Sequence, residues 1–176
     1  MVTTESRKLS VHAVHLVRTA TQANLTLSQM ADQKASILMG ATFVVFTIAI
    51  GNARSGILSH AMLALAAFAF LSAMFAIAAV LPSISGNRGS GGQPNMLFFG
   101  TFSQWDEDEF ADRVLDQLQD DETIYRTMLR DIHQNGMVLK HKKYRFLRLA
   151  YLLFLTGLIA TFAIFLVESR AMLGFA

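Results

Sequence analysis

DQKASILMGATFVVFTIAIGNAR, residues 32–54, decides the fold. Between Lys34 and Arg54 lie 19 residues without a charge, Ala35 to Ala53. At about 1.5 Å per residue a helix of that length reaches roughly 28 Å, the thickness of a bilayer's hydrocarbon layer. The run therefore reads as a membrane crossing. A cleaved signal peptide fits poorly: 34 residues precede the run, and a second apolar segment follows almost at once. Secretory apolar cores are also shorter, about 7 to 15 residues.

Working outward, Ala61 to Leu81 supplies 21 more uncharged residues, stopped by Pro82, and Leu149 to Val167 another 19 between Arg148 and Glu168. Proline cannot continue a regular helix without losing a hydrogen bond. The whole chain agrees, with 53% hydrophobic against 16% charged residues in 176; soluble domains carry roughly a quarter charged. The absence of cysteine excludes a disulfide scaffold, a cysteine-ligated metal and a thiol nucleophile. The expected fold is all-α, with three transmembrane helices whose ends extend as long helices into a cytoplasmic helical bundle.

The basic residues orient it. Four Lys and Arg precede the first run, one (Arg54) lies between the first two, nine lie between Pro82 and Arg148, and one (Arg170) follows. Basic flanks stay cytoplasmic, so the expectation is a multi-pass membrane protein with its N-terminus inside and C-terminus outside. The expected divisions are 1–34, an amphipathic cytoplasmic helix; 35–53, the first crossing; 54–60, an external hairpin; 61–81, the second crossing; 82–102, a Gly-rich loop; 103–148, a cytoplasmic helical region; 149–167, the third crossing; and 168–176, an external tail.

In the first of these, Leu9, Leu16, Ala23 and Met30 recur every seven residues, and no Gly or Pro occurs before Gly40, so one helix should run unbroken into the membrane. The Gly-rich stretch Gly86 to Pro94 lacks the Lys of a phosphate-binding P-loop and reads as linker. Ser103 with Asp106 forms a capping signature, so a helix is expected to start there. Asn135-Gly136 is the weak point of a later helix, a turn signal expected to mark either a kink or a close helix contact. Pro82 to Glu122 holds nine acids and two Arg, whereas Thr123 to Arg148 holds seven bases and Asp131. This suits antiparallel acidic and basic helices, with the bases at 140–148 facing anionic headgroups. So acidic a neighbour makes a nucleic-acid polymer a poor partner.

Catalytic motifs are missing: no G-x-S-x-G, no H-E-x-x-H and no dinucleotide fingerprint occurs. His12 and His15 share a helix face but have no acid nearer than Glu5, so no metal site and no enzyme is expected. All three runs lack Asp, Glu, Lys and Arg, which argues against a charge-lined transport path. They offer small and hydroxyl residues instead, such as Ser36 with Gly40 and Gly157 with Thr161, at the spacing that lets helices approach. Packing within the chain and association into a homo-oligomer are both open on this pattern. Asp32 and Lys34, two apart, cannot pair on one helix face, so each needs a partner on another helix or at the lipid headgroups.

A helix ending in Asp32-x-Lys34-Ala35 at the first crossing is followed, after the second, by Phe98-Phe99-Gly100 and Phe110. Gly136, Lys142-Lys143-Tyr144 and Ala150-Tyr151 then precede the last crossing. This order resembles the Pycsar effector transmembrane family over about residues 20–168. Asp32, Lys34, Ala35, Gly100 and Tyr144 would be the family's motif or interface positions. The resemblance implies an antiphage effector that compromises the inner membrane of the infected cell. It would be switched on by cyclic UMP or cyclic CMP from a partner pyrimidine nucleotide cyclase, with no other cofactor. An anionic nucleotide wants an aromatic face for its base and a cation for its phosphate. The candidates are Phe98, Phe99, Trp105 and Tyr125, with Lys34, Arg126 and Arg130. The alternative reading is a structural or adaptor membrane protein whose helical stalk docks a protein partner.

Overall fold

The computed structural model describes residues 9–54, 59–82 and 94–172. The tip of the expected hairpin (55–58), most of the Gly-rich segment (83–93) and the last residues (173–176) lie outside the described residues. Six α-helices follow one another: α1 (Ala13–Arg54), α2 (His60–Val80), α3 (Phe99–Phe102), α4 (Glu107–Gln117), α5 (Asp121–Val138) and α6 (Arg145–Met172). A π-helical turn, Leu139–Tyr144, joins α5 to α6. The chain is all-α, without a strand among the described residues, and three of its helices are long and apolar enough to cross a membrane. Two compact units divide it, residues 1–27 with 82–139 and residues 28–81 with 140–176. The 42 residues of α1 belong to both.

In the second, membrane unit, α1, α2 and α6 meet through small side chains. Leu38, Ala76 and Ala150 form the core, with Phe75 and Phe154 packed against them. Alanine at the contact lets backbones approach, the means by which helices associate where lipid removes the hydrophobic drive between them. Ser72, fully buried on α2, donates its hydroxyl to the Ala150 carbonyl at 2.8 Å. Gly157 of α6 lies so close to Phe68 of α2 that an added Cβ would fall 2.4 Å from the Phe68 Cβ. By contrast, Ser36 is exposed and a Cβ at Gly40 would meet nothing within 4 Å, so that pair of small residues packs on no other helix among the described residues. Phe43, Ile159 and Val167 are each about 70% exposed, the apolar surface that lipid would cover. At the other end of these helices, Glu168 accepts from the His60 backbone N–H at 2.9 Å and meets His60 Nδ1 at 3.1 Å.

The first unit is built on caps. Two capping signals overlap here, and the helix start expected at Ser103 falls three residues later. Ser103 ends the short α3, and Asp106 caps α4, its carboxylate accepting from the Glu109 N–H at 2.8 Å. Asp106 is thus the N-cap, and Glu107, Asp108 and Glu109 in the first turn favour the helix dipole. Asp120 caps α5 in the same way, through the Thr123 N–H. The charge segregation resolves mostly within helices: Arg113 pairs with Glu109, and Arg126 with Glu122, each one turn apart.

Asn135-Gly136 does not break the helix, and a Cβ at Gly136 would meet nothing within 4 Å, so it marks no close helix contact among the described residues. The α-helix continues through both to Val138, and the departure from α geometry is the π turn that begins at Leu139. Asn135 instead donates to Asp131 Oδ2 at 3.0 Å, while Asn95, 5% exposed, donates to Asp131 Oδ1 at 2.9 Å. Asp131 thereby pins the segment after Pro94 onto α5. Asp131→Ala would strand a buried amide, and we expect it to cost about 2 kcal/mol. The loss should appear as a lowered midpoint in thermal unfolding followed by circular dichroism in detergent.

Candidate functional site

The cap at Asp106 fixes the first turn of α4, with Trp105 immediately before it. Arg113, Asp116 and Gln117 then fall at i, i+3 and i+4, one face of the helix. The Arg113 guanidinium lies 4.6 Å from the centre of the Trp105 ring, a cation–π contact, and is held from behind by Glu109 at 2.8 Å. Gln117 is oriented through its carbonyl oxygen, which accepts from the Thr127 hydroxyl of α5 at 3.0 Å. Arg130, one turn after Arg126 on α5, and Pro94 and Met96, held by the Asn95 to Asp131 bond, complete the walls. They line a cavity, open on one side, of about 280 Å³, close to the lower bound of about 300 Å³ for small-molecule sites.

The cavity offers an indole face, two guanidinium groups, one carboxylate and one amide. Guanidinium groups bind phosphate through paired N–H donors, and an aromatic face stacks on any base. Among the described residues no group of three His or acidic residues could hold a metal. The arrangement suits recognition of a small, planar, anionic molecule.

Of the candidates named from sequence, the structure brings Trp105 and Arg130 together in this cavity. Phe98 and Phe99 meet in a tilted ring contact, centroids 4.9 Å apart, and do not line it. Tyr125 and Arg126 also lie outside its lining; Arg126 is exposed and engaged by Glu122. Lys34 belongs to the membrane unit. Sequence reasoning missed Arg113, Asp116 and Gln117, which read as the solvated face of an acidic helix. Their i, i+3, i+4 spacing just after Trp105 was the available signal.

A second polar cluster lies within the membrane unit. Lys143, in the π turn, donates to both carboxylate oxygens of Asp32 at 2.8 and 2.7 Å and to the Ser28 hydroxyl at 2.7 Å. Asp32 thus finds its partner on another helix, as its spacing from Lys34 requires. The neighbouring Lys142 donates to the Leu81 carbonyl at 2.7 Å, capping the end of α2. The Lys143 side chain is 19% exposed and that of Asp32 40%, so water tempers the attraction. We expect Lys143→Met and Asp32→Asn each to cost about 1–2 kcal/mol. The double variant should cost less than their sum by about 1 kcal/mol, read as coupling in a double-mutant cycle of unfolding in detergent.

The family model for the Pycsar effector protein domain matches residues 15–168. The chain belongs to the Pycsar effector family. No curated protein and no solved structure matches it. Membership makes it a bacterial antiphage effector, and the three spanning helices make it a membrane protein. The positions that carry the Pycsar resemblance take defined places. Asp32 pairs with Lys143, Ala35 and Ala150 are wholly buried, and Gly100 is buried in α3. Phe110 meets Phe102 in a tilted ring contact with centroids 5.3 Å apart, the Tyr151 hydroxyl donates to the Lys34 carbonyl at 3.3 Å, and Tyr144 is half-buried in the π turn.

Proposed function

We propose that this Pycsar effector perturbs the bacterial inner membrane when a cyclic pyrimidine nucleotide, cyclic UMP or cyclic CMP, enters the cavity between α4 and α5. The observation that carries the reading is the cavity itself, where Trp105 and two arginines meet in a helical unit without a catalytic motif. The base stacks on the indole, the phosphate meets the guanidinium of Arg113 or Arg130, and Asp116 and Gln117 address the base edge. The nucleotide comes from a partner pyrimidine nucleotide cyclase. The protein is not an enzyme. The distribution of Lys and Arg supports an orientation with the N-terminus and the cavity in the cytoplasm and the C-terminus outside.

A ligand shifts an assembly only by binding its active arrangement more tightly. In this reading the arrangement is a homo-oligomer. The decisive experiment reconstitutes the purified protein in dye-loaded liposomes and adds cyclic UMP, cyclic CMP or their linear monophosphates. Release with a cyclic pyrimidine nucleotide and not with its linear form supports the proposal, and no release with either cyclic nucleotide refutes it.

One observation favours the adaptor reading as a second one. The heptad row Leu9, Leu16, Ala23 and Met30 is exposed along its whole length, with Leu16 at 73%. A stoichiometric protein partner captured through this row, without any nucleotide effect on thermal stability, would replace the nucleotide reading.

A further inference from the structure

Three contacts in the membrane unit bring corresponding ends of its helices to one level. Lys143 holds Asp32 of α1, Lys142 holds the Leu81 carbonyl at the end of α2, and Tyr151 of α6 holds the Lys34 carbonyl of α1. The three apolar runs begin or end at this level, at Ala35, Leu81 and Leu149. It therefore marks one edge of the hydrocarbon layer. The basic residues around it divide sharply. Lys142 and Lys143 turn toward the protein, whereas Lys34, Arg145 and Arg148 are exposed and form no ion pair with a described residue.

These three cations lie at this same level of the membrane unit. Arg145 and Arg148 are three residues apart on α6, as are Arg148 and Tyr151, and residues at that spacing share a helix face. Tyr151 reaches the backbone of Lys34, which brings α1 to that face. Beneath the cations run exposed apolar stripes. On α6, Arg148 is followed on its own face by Leu152, Leu155 and Ile159, exposed at 49%, 52% and 71%. On α1, Lys34 is followed by Ile37, Val44 and Ile48, exposed at 64%, 55% and 55%.

We propose that Lys34, Arg145 and Arg148 form a headgroup site for an anionic phospholipid, whose acyl chains lie along these two stripes. Guanidinium groups match phosphate oxygens in pairs. The juxtaposition of cations with apolar tracks selects a lipid over a soluble phosphate, which could use the cations alone. A zwitterionic headgroup carries its own cation and gains less. This inference does not rest on the nucleotide reading, because the site and the cavity share no residue.

The test is native mass spectrometry of the full chain released from mixed micelles of phosphatidylglycerol and phosphatidylcholine. Wild type should retain phosphatidylglycerol preferentially. Each of Lys34→Gln, Arg145→Gln and Arg148→Gln should lower the ratio of the two retained lipids about fivefold, the equivalent of about 1 kcal/mol per base. Arg145→Lys with Arg148→Lys keeps the charge but not the paired donors, and should lose less of the preference than the two Gln changes together. Arg170→Gln, beyond the far end of the same apolar run, should leave it unchanged. Glycerol 3-phosphate at millimolar concentration should displace nothing. Equal retention of both lipids by wild type, an unchanged ratio in the three single variants, or displacement by glycerol 3-phosphate would overturn the proposal.

Discussion

Gly157→Val is expected to cost about 3 kcal/mol, the upper end of the usual range for overpacking a tight contact. A Cβ at this position would fall 2.4 Å from the Cβ and 2.9 Å from the Cγ of Phe68, far inside any real carbon contact. The Phe68 Cβ is fixed to its own backbone and cannot swing aside as the end of a long side chain would. Relief requires α2 and α6 to part, which would also lengthen the 2.8 Å bond from Ser72 to the Ala150 carbonyl. Unfolding in detergent, by heat or by titrated dodecyl sulfate, should show the loss. Gly40→Ala is the matched control: it meets nothing within 4 Å, and alanine favours a helix by up to about 1 kcal/mol over glycine. Equal losses at the two glycines would refute close approach of α2 and α6.

Arg130→Gln is expected to raise the concentration of cyclic pyrimidine nucleotide needed for half-maximal liposome leakage about 30-fold. That figure corresponds to about 2 kcal/mol, typical for a hydrogen bond to a charged group. Arg113→Gln should weaken the response as much or more, because it also removes the cation–π contact, 4.6 Å to the ring centre, that holds Trp105 in position. Arg126→Gln and Tyr125→Phe serve as controls, since both are on α5 and neither lines the cavity. A response that weakens as much at Arg126 as at Arg130 would mean that general positive charge, and not this cavity, attracts the ligand.

The membrane helices were legible because hydrocarbon thickness dictates their length and a 19- or 21-residue uncharged run has few other uses. The unbroken α1 followed from the lack of any Gly or Pro before Gly40. Local signals failed where two of them overlapped, as at Ser103 and Asp106, each able to cap a helix. They also failed where no local signal exists. Nothing in LKHKKY announces a π turn. The pairing of Asp32 with Lys143 joins residues 111 positions apart, so periodicity showed only that Asp32 needed a partner elsewhere. Asp131 entered the sequence reading as an exception in a count of charges, and its task, holding two asparagines, appears only in three dimensions. The cavity was half legible: aromatic and cationic residue types pointed to Trp105 and Arg130, while Arg113, Asp116 and Gln117 were hidden by the polarity of the helix that carries them.

The wide turn at Leu139–Tyr144 constrains how this gene can vary. Two consecutive residues there serve two different helices, Lys142 the end of α2 and Lys143 the carboxylate on α1. Inserting or deleting one amino acid would rotate everything beyond it by about 100° and dislodge both side chains together. The segment therefore tolerates exchange of its outward residues, such as Lys140 and His141, far better than any change in its length. A library of single-codon deletions should show its sharpest intolerance here.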